Sequence, residues 1–439
     1  MDFYMKRLLL KELQEWKDKP GRKPLILRGA RQVGKTWLLL EFGRTCFEDV
    51  CYLNFERNAQ IANTFNRNLD PRQIIEDLSV FHGRPINPLN TLIILDEIQE
   101  VPRALTALKY FAEETPEYAV CCAGSLLGIA QHDGLSFPVG KVEYLDLHPL
   151  SFVEFLIANG KEMLVEHIMK GNLIVDSFES ELTKLLKNYL VVGGMPAAVA
   201  KWIEEKDYVK VDHVLRDLTQ TYYDDFSKHA PSKIIEKIRQ VWRNIPSQLA
   251  KENKKFIFQL VRDGARAREY EDALMWLVDM GLVHRSYCVS KPGLPLSTYE
   301  DLKAFKIFML DVGVLRFLSG LSPMAVLEGN RVFEEFKGAL TEQYVLQELI
   351  LNKRFDASHY WTSNGKAEVD FVFSDGLKVY PMEAKADVNV KAKSLKVYDD
   401  LYQPDRVFIA SLRPYNKNGR RVFIPLYLLF ALGISLADE

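Results

Sequence analysis

The run Gly29-Ala30-Arg31-Gln32-Val33-Gly34-Lys35-Thr36 has the spacing G-x-x-x-x-G-K-[ST], and its residue types suit one task. Gly29 and Gly34 let the backbone curl until its N–H groups point inward at phosphate oxygens. A helix starting there adds its positive N-terminal end. Lys35 sets a charge against β- and γ-phosphates, and Thr36 offers a hydroxyl to Mg²⁺. Downstream, Leu92-Ile93-Ile94-Leu95-Asp96-Glu97 is an apolar run closing on two carboxylates. Asp96 suits a hydrated Mg²⁺, and Glu97 suits a base that polarises the attacking water. A third apolar run ends in Cys122-Ala123-Gly124-Ser125, where Ser125 can reach between the γ-phosphate and that water. The plain alternatives are a chance glycine turn, a solvated Glu97 and a Gly-Ser turn. The ligands implied are ATP and Mg²⁺.

A second set of residues lies near the C-terminus. Asp370 stands in one apolar run and Glu383-Ala384-Lys385 in the next. Residues two apart on a strand share a side, so Glu383 and Lys385 project together, and an antiparallel neighbour brings Asp370 beside them. Asp370 and Glu383 can hold Mg²⁺, while Lys385 orients or deprotonates a water for attack on a phosphodiester. Glu342, in Thr341-Glu342-Gln343-Tyr344, adds a further candidate ligand. The alternative is an exposed strand face with ordinary ion pairs. Lys378, Lys391, Lys393, Lys396, Arg406, Arg413, Arg420 and Arg421 lie around this segment. Clustered, they would hold a phosphate backbone in a salt-sensitive way; dispersed, they are a solvated face.

These residues need elements to position them. Short apolar runs at 25–27, 50–55, 92–95, 119–123 and 142–147 alternate with helical patterns, which predicts a parallel sheet covered on both faces. From residue 150 to about 225 the pattern is helical, broken by Gly193-Gly194-Met195-Pro196. Further short helical patterns precede a strand pair at 282–289 and 306–310, an arrangement resembling a winged helix-turn-helix. A helix at 333–351 then leads to strands at 358–362, 367–373 and 377–384. Asn364-Gly365 and Asp375-Gly376 separate these strands as hairpin turns. A helix at 390–402 and a strand at 406–410 complete the unit. Pro381 places the start of the Glu383 strand near an edge or bulge.

With 439 residues, 48% of them hydrophobic, the chain has ample material for packed cores, which excludes an intrinsically disordered protein. A formal net charge of −2 excludes a globally basic coat, so any nucleic-acid contact must be local. The cysteines, Cys46, Cys51, Cys121, Cys122 and Cys288, show neither zinc-ligand nor disulfide-framework spacing and suit a reducing cytoplasm. The apolar tail 422–437 falls short of the roughly 20 residues of a membrane helix and reads as a last strand and a closing helix, with a tail anchor on a membrane-attached ATPase as the alternative. No membrane partner is expected.

The motif Arg28 to Thr36, with Leu95-Asp96-Glu97-Ile98-Gln99, Ala123-Gly124-Ser125 and Leu147-His148-Pro149-Leu150-Ser151-Phe152, resembles one family. It is the prokaryotic AAA-like P-loop ATPases fused to a C-terminal half of uncharacterised function, in which Gly-Gly-aromatic-Pro corresponds to Gly193-Gly194-Met195-Pro196. The resemblance gives Ser125 the sensor 1 role and implies a homo-oligomer. Members often carry Gly-Arg before the fifth strand; here Gly140-Lys141 replaces it, and lysine lacks the planar fork of an arginine finger. An ordinary surface lysine is the alternative there. The C-terminal unit resembles the PD-(D/E)xK nuclease superfamily.

The expected architecture is α/β: a P-loop NTPase domain with a parallel sheet at 1–160, a helical connector at 161–226, a winged-helix-like domain at 227–325 and a restriction-endonuclease-like domain at 326–439. The expected function is Mg²⁺-dependent ATP hydrolysis coupled to binding or cleavage of nucleic acid, DNA among the candidates. The competing expectation is an ATP-dependent switch whose nuclease-like fold cuts nothing.

Overall fold

The computed structural model describes residues 5–124, 138–251, 254–328, 331–363, 367–386 and 393–436. The chain forms two compact units, one mainly of residues 7–148 and one mainly of residues 149–439. Among the described residues no helix is long and apolar enough to cross a membrane.

In the N-terminal unit, β1 (Leu25–Arg28), β2 (Asp49–Asn54), β3 (Thr91–Asp96), β4 (Ala119–Ala123) and β5 (Glu143–Asp146) form a parallel sheet in the order β2-β3-β4-β1-β5. Parallel neighbours need crossover connections, and helices Lys35–Cys46, Pro71–His82 and Pro102–Glu114 lie between successive strands. Every residue of β3 is buried, which explains its unbroken apolar run: with both faces covered, no polar alternation is needed. In this order β4 sits between β1 and β3. Three adjacent carboxyl ends therefore carry Gly29, Gly124 and Asp96 side by side.

The C-terminal unit combines helices with an eight-stranded mixed sheet. Its strands are β6 (Val283–Val289), β7 (Glu300–Met309), β8 (Asp356–Thr362), β9 (Glu368–Ser374), β10 (Val379–Ala384), β11 (Val407–Ser411), β12 (Asn416–Asn418) and β13 (Arg421–Pro425). Their order is β12-β13-β11-β10-β9-β8-β6-β7. Helix Arg331–Leu351 precedes β8, and helix Lys393–Tyr402 joins β10 to its parallel neighbour β11. The pair β6–β7, expected as a wing, is not free-standing: β6 pairs in parallel with β8, so one sheet runs across the boundary expected at 325/326. Pro381 sits one residue before β10 begins to pair with β11, where its missing N–H is tolerated. Gly376 has φ 87°, and Asp375 accepts from the N–H groups of Leu377 and Lys378 to close the β9–β10 turn. Asn364-Gly365 lies outside the described residues.

The Gly193-Gly194-Met195-Pro196 break works by close approach. Helix Glu179–Val192 stops at Gly193, whose φ is 76°, and the next helix begins at Pro196. The buried Asp311 accepts from Gly194 N at 2.6 Å and caps helix Val312–Leu318 through Val314 N at 3.0 Å. A Cβ on Gly194 would lie 2.1 Å from the Leu150 carbonyl oxygen. Gly194→Ala is expected to destabilise this unit by about 3 kcal/mol, because backbone rather than a flexible side chain must yield. Urea denaturation of the variant beside wild type measures it.

Candidate functional site

The turn after β1 is built for an anion. Gly29 has φ 146°, and a Cβ there would meet the Leu147 carbonyl oxygen at 2.2 Å. Gln32 and Gly34 also adopt positive φ, 66° and 94°, so the chain coils tightly before helix Lys35–Cys46 begins. Val33 and Ala30 are buried beneath the turn. Arg7 braces it from outside: its guanidinium donates to Val33 O at 2.8 Å and His148 O at 2.6 Å. Arg31 is half-buried and Gln32 exposed at the rim.

Lys35 is 7% exposed, and its ammonium donates to Gly29 O and Ala30 O, both at 2.8 Å. Burial lowers its pKa to about 8 against the opposing pull of Glu97 and Asp96. Thr36 Oγ1 donates to Asp96 Oδ2 at 2.9 Å, as do Tyr52 OH at 2.8 Å and Asn54 Nδ2 at 3.2 Å. Asp96 Oδ1 accepts from Glu97 N at 3.2 Å. Both oxygens of Asp96 thus already accept from donors of the protein, which fits a carboxylate that meets a metal through water. Mg²⁺ ordinarily keeps several waters, so Thr36 and Asp96 fit it. Glu97 takes a left-handed conformation, φ 50° and ψ 47°, and Gln99 Nε2 donates to its Oε2 at 2.7 Å.

Gly29, Ala30, Arg31, Gln32, Val33, Gly34, Lys35, Thr36, Asp96 and Glu97 therefore converge at the carboxyl ends of β1 and β3, where ligands of open α/β sheets gather. Ser125 lies outside the described residues. Lys141 pairs with Glu113 at 2.9 Å. Tyr52, Asn54 and Arg7 escaped sequence reading, while Gln99 was read within the motif Leu95 to Gln99 but given no role. Of these three Asn54 left a trace, as the polar end of the strand in register with Asp96.

In the C-terminal unit, Glu342, Asp370, Glu383 and Lys385 also come together. Lys385 Nζ lies 2.6 Å from Glu383 Oε1, and Asp370 Oδ2 accepts from Ala384 N at 2.9 Å. Three further residues join them. Lys254 pairs with Glu342, and the fully buried Lys306 lies 2.6 Å from Glu368 and 3.6 Å from Glu342. Lys306 also sits 4.9 Å from the Tyr360 ring centroid, a cation–π contact. Lys306 left a signal, a lone charge within the apolar run Ala304-Phe305-Lys306-Ile307-Phe308-Met309.

The charges divide unevenly. Burial, then the neighbouring Glu342 and Glu383, push Asp370 well above the ordinary carboxylate range. Burial likewise raises Glu383. Burial pushes Glu342 up too, but Lys254 and Lys306 outweigh it and hold it below its ordinary value. Burial disfavours the charge on Lys306, yet Glu342, Glu368 and Asp370 more than restore it. Among the described residues no three His, Cys, Asp or Glu side chains form a ready metal cage. Glu342 Oε2 and Glu383 Oε2 are nonetheless buried acceptors with no hydrogen-bond donor. Mg²⁺ needs only one or two carboxylates and keeps waters elsewhere, so this donor set fits it.

The basic residues scatter. Lys378 pairs with Asp405 at 2.7 Å and Arg420 with Asp399 at 3.1 Å, while Arg406 is buried. Lys391 lies outside the described residues. Lys396, Arg413 and Arg421 line one hollow.

Comparison with known families agrees with the N-terminal geometry. Residues 21–156 match the AAA domain, residues 183–325 a domain of unknown function (DUF8612) and residues 337–429 another (DUF4143). The N-terminal part is a P-loop domain of AAA type. No curated protein matches the chain. Among solved structures, the Walker-type ATPase PABY2304 of Pyrococcus abyssi is 16% identical with a TM-score of 0.45, over 70% of this chain and 94% of that one. The Orc1 protein of Aeropyrum pernix, in complex with DNA, is 14% identical with a TM-score of 0.31, over 73% of this chain and 95% of that one. Cdc6p from Pyrobaculum aerophilum is 13% identical with a TM-score of 0.27, over 75% and 97%. Likeness this slight carries nothing about function.

Two expectations follow. An anionic triphosphate restores the Lys35 proton that burial weakens. ATP affinity should therefore be level below about pH 8 and fall about tenfold per pH unit above it. Calorimetry in buffers of different ionisation enthalpy reads the proton uptake. Lys306→Met leaves Glu368 without its buried counter-charge and Glu342 with Lys254 alone, and should lower unfolding free energy by about 3 kcal/mol. Denaturant titration measures that loss.

Proposed function

We propose that this protein is a Mg²⁺-dependent ATP hydrolase whose C-terminal unit binds and cleaves nucleic acid. The observation that carries the ATPase reading is the 2.9 Å bridge from Thr36 to Asp96 beside a buried Lys35. Lys35 exchanges the carbonyls of Gly29 and Ala30 for β- and γ-phosphate oxygens, and the turn's N–H groups complete the cradle. Thr36 and Asp96 would hold Mg²⁺, which when bound neutralises charge on the phosphates. Glu97 accepts a proton from the attacking water, and Gln99 fixes its carboxylate in place. Assembly as a homo-oligomer and a cytoplasmic location belong to the same reading and rest on the family resemblance and on cysteine usage.

In the C-terminal unit, Asp370 and Glu383 would hold Mg²⁺ with Glu342 behind them. Lys385 orients the water that attacks phosphorus, and the P–O bond to the leaving nucleotide breaks. One observation favours the second reading, an ATP-driven switch that cuts nothing: Lys254 and Lys306 already pair with Glu342, and Lys385 with Glu383.

Glu97→Gln is expected to lower ATP turnover about 100-fold or more while ATP still binds. Undiminished turnover removes the base assigned here. A Mg²⁺-dependent nuclease assay on wild type, Asp370→Ala and Lys35→Ala separates the two readings. Cleavage lost in Asp370→Ala supports the nuclease; equal cleavage by both proteins, or none by wild type, leaves the switch.

A further inference from the structure

We infer that Lys254 is a resident stand-in for a divalent cation: its ammonium holds the place beside Glu342 and gives it up when the ion enters the carboxylate cluster. The inference rests on the reading of Asp370 and Glu383 as metal ligands given above, and it adds the regulation of that site. Glu342 and Glu383 are both buried, and each has one oxygen, Oε2, with no hydrogen-bond donor. The cluster therefore offers more acceptor capacity than its ammonium groups fill.

Three ammonium groups answer these carboxylates, and they differ in how firmly they are held. Lys306 is fully buried within β7, 2.6 Å from Glu368, 3.6 Å from Glu342 and 4.9 Å from the Tyr360 ring centroid. Strand, counter-ion and ring fix it together. Lys385 lies 2.6 Å from Glu383 Oε1, which leaves Oε2 open, and its backbone N–H donates to Ala410 O at 2.8 Å. Lys254 is held differently. It follows helix Ile235–Leu249 in a stretch that is neither helix nor strand. That stretch is tied to β7 at Phe256, whose N–H donates to Phe305 O at 2.8 Å and whose ring stacks on Phe305 with centroids 5.7 Å apart. From there the Lys254 side chain passes over Gly338, four residues before Glu342 on the same helix. A Cβ at Gly338 would lie 3.7 Å from the Lys254 ammonium. The Lys254 side chain keeps 12% of its surface exposed. A flexible four-carbon stem thus enters from the margin, carrying a strongly hydrated charge with a route back to water.

Elementary electrostatics supplies the exchange. A buried carboxylate needs a counter-charge, and Lys254 with Lys306 provides it for Glu342. A divalent ion at the same carboxylate would share it with two ammonium groups, and like charges that close repel strongly where water screens little. Lys306 has no path outward. Lys254 has one, and water solvates its ammonium once it leaves. The cluster then stays compensated both before and after the ion enters, and competition with Lys254 sets the affinity.

The test is Mn²⁺ binding to the full chain without nucleotide, read from the electron paramagnetic resonance of free Mn²⁺. The part of the binding that Asp370→Asn abolishes belongs to the cluster. Lys254→Met should bind there about tenfold more tightly than wild type, because the ion no longer competes with an ammonium. Lys251→Met removes the same charge three residues away at an exposed position and should match wild type. Lys254→Met should also melt below wild type without metal and gain more in melting temperature from Mn²⁺. Equal affinity in Lys254→Met and wild type, or equal tightening in Lys251→Met, overturns the exchange. Tightening in Lys385→Met but not in Lys254→Met overturns it too. A readout on wild type stands beside the variants: acetylation of lysines by a water-soluble ester, mapped by mass spectrometry. In wild type saturated with Mn²⁺, Lys254 should label several-fold faster than without the ion, while Lys306 stays protected in both. A Lys254 rate that bound Mn²⁺ leaves unchanged overturns the exchange. This arm decides alone if Lys254→Met fails to melt cooperatively, and absence of binding by wild type then counts against the exchange. Failure of the exchange and failure of the reading beneath it look different. Mn²⁺ bound at the Asp370-dependent site by neither wild type nor Lys254→Met removes both. Mn²⁺ bound there equally by the two removes the exchange alone. Tighter binding by Lys254→Met with no cleavage of nucleic acid keeps the exchange and ends the nuclease reading.

Discussion

A single carboxylate organises the nucleotide end of this protein. Asp96 closes a strand that is buried along its whole length, so its charge must be answered locally. Thr36, Tyr52 and Asn54 supply the answer to one oxygen and the Glu97 amide to the other. Those donors come from the phosphate turn's helix, from the end of β2 and from the residue that follows β3. The same bonds that make the buried charge tolerable therefore fix the hydroxyl, the base and the turn relative to one another. Preorganisation here is a by-product of charge compensation.

The C-terminal unit solves the same problem with different partners. Its carboxylates are answered by ammonium groups, and one of these, on Lys306, is fully buried. Lysine is a compact point charge and does not divide its bonds with the fork geometry of arginine, which leaves carboxylate oxygens such as Glu342 Oε2 without a donor. A site of that kind is neutral as a whole yet locally short of donors. Breaking any one pair there is costly, which ties chemistry and folding together in one cluster.

Much of this was legible in the residues. The phosphate turn, the acidic strand end and the alternation of strands and helices each carry a local signal, because sterics at Gly29 and burial of β3 act on neighbouring residues. Asp370 and the Glu383–Lys385 pair were legible for the same reason, through strand period and the Asp375-Gly376 turn. What escaped has a common cause. Arg7, Tyr52, Lys254 and Lys306 reach their partners from far away in the sequence, and no local spacing encodes a tertiary hydrogen bond or ion pair. The wing was misleading because a hairpin reads alike whether its outer edge meets solvent or, as β6 does, another strand.

That shared sheet has a consequence for how the chain's segments travel through evolution. The two segments of unknown function, residues 183–325 and 337–429, meet as β6 against β8, with Lys306 contributed from one side and Glu368 from the other. A gene breakpoint between them would open two raw edges ready for stray pairing and strand a buried ammonium apart from its counter-ions. Neither segment is a portable module, and recombination that trades one must carry the other along.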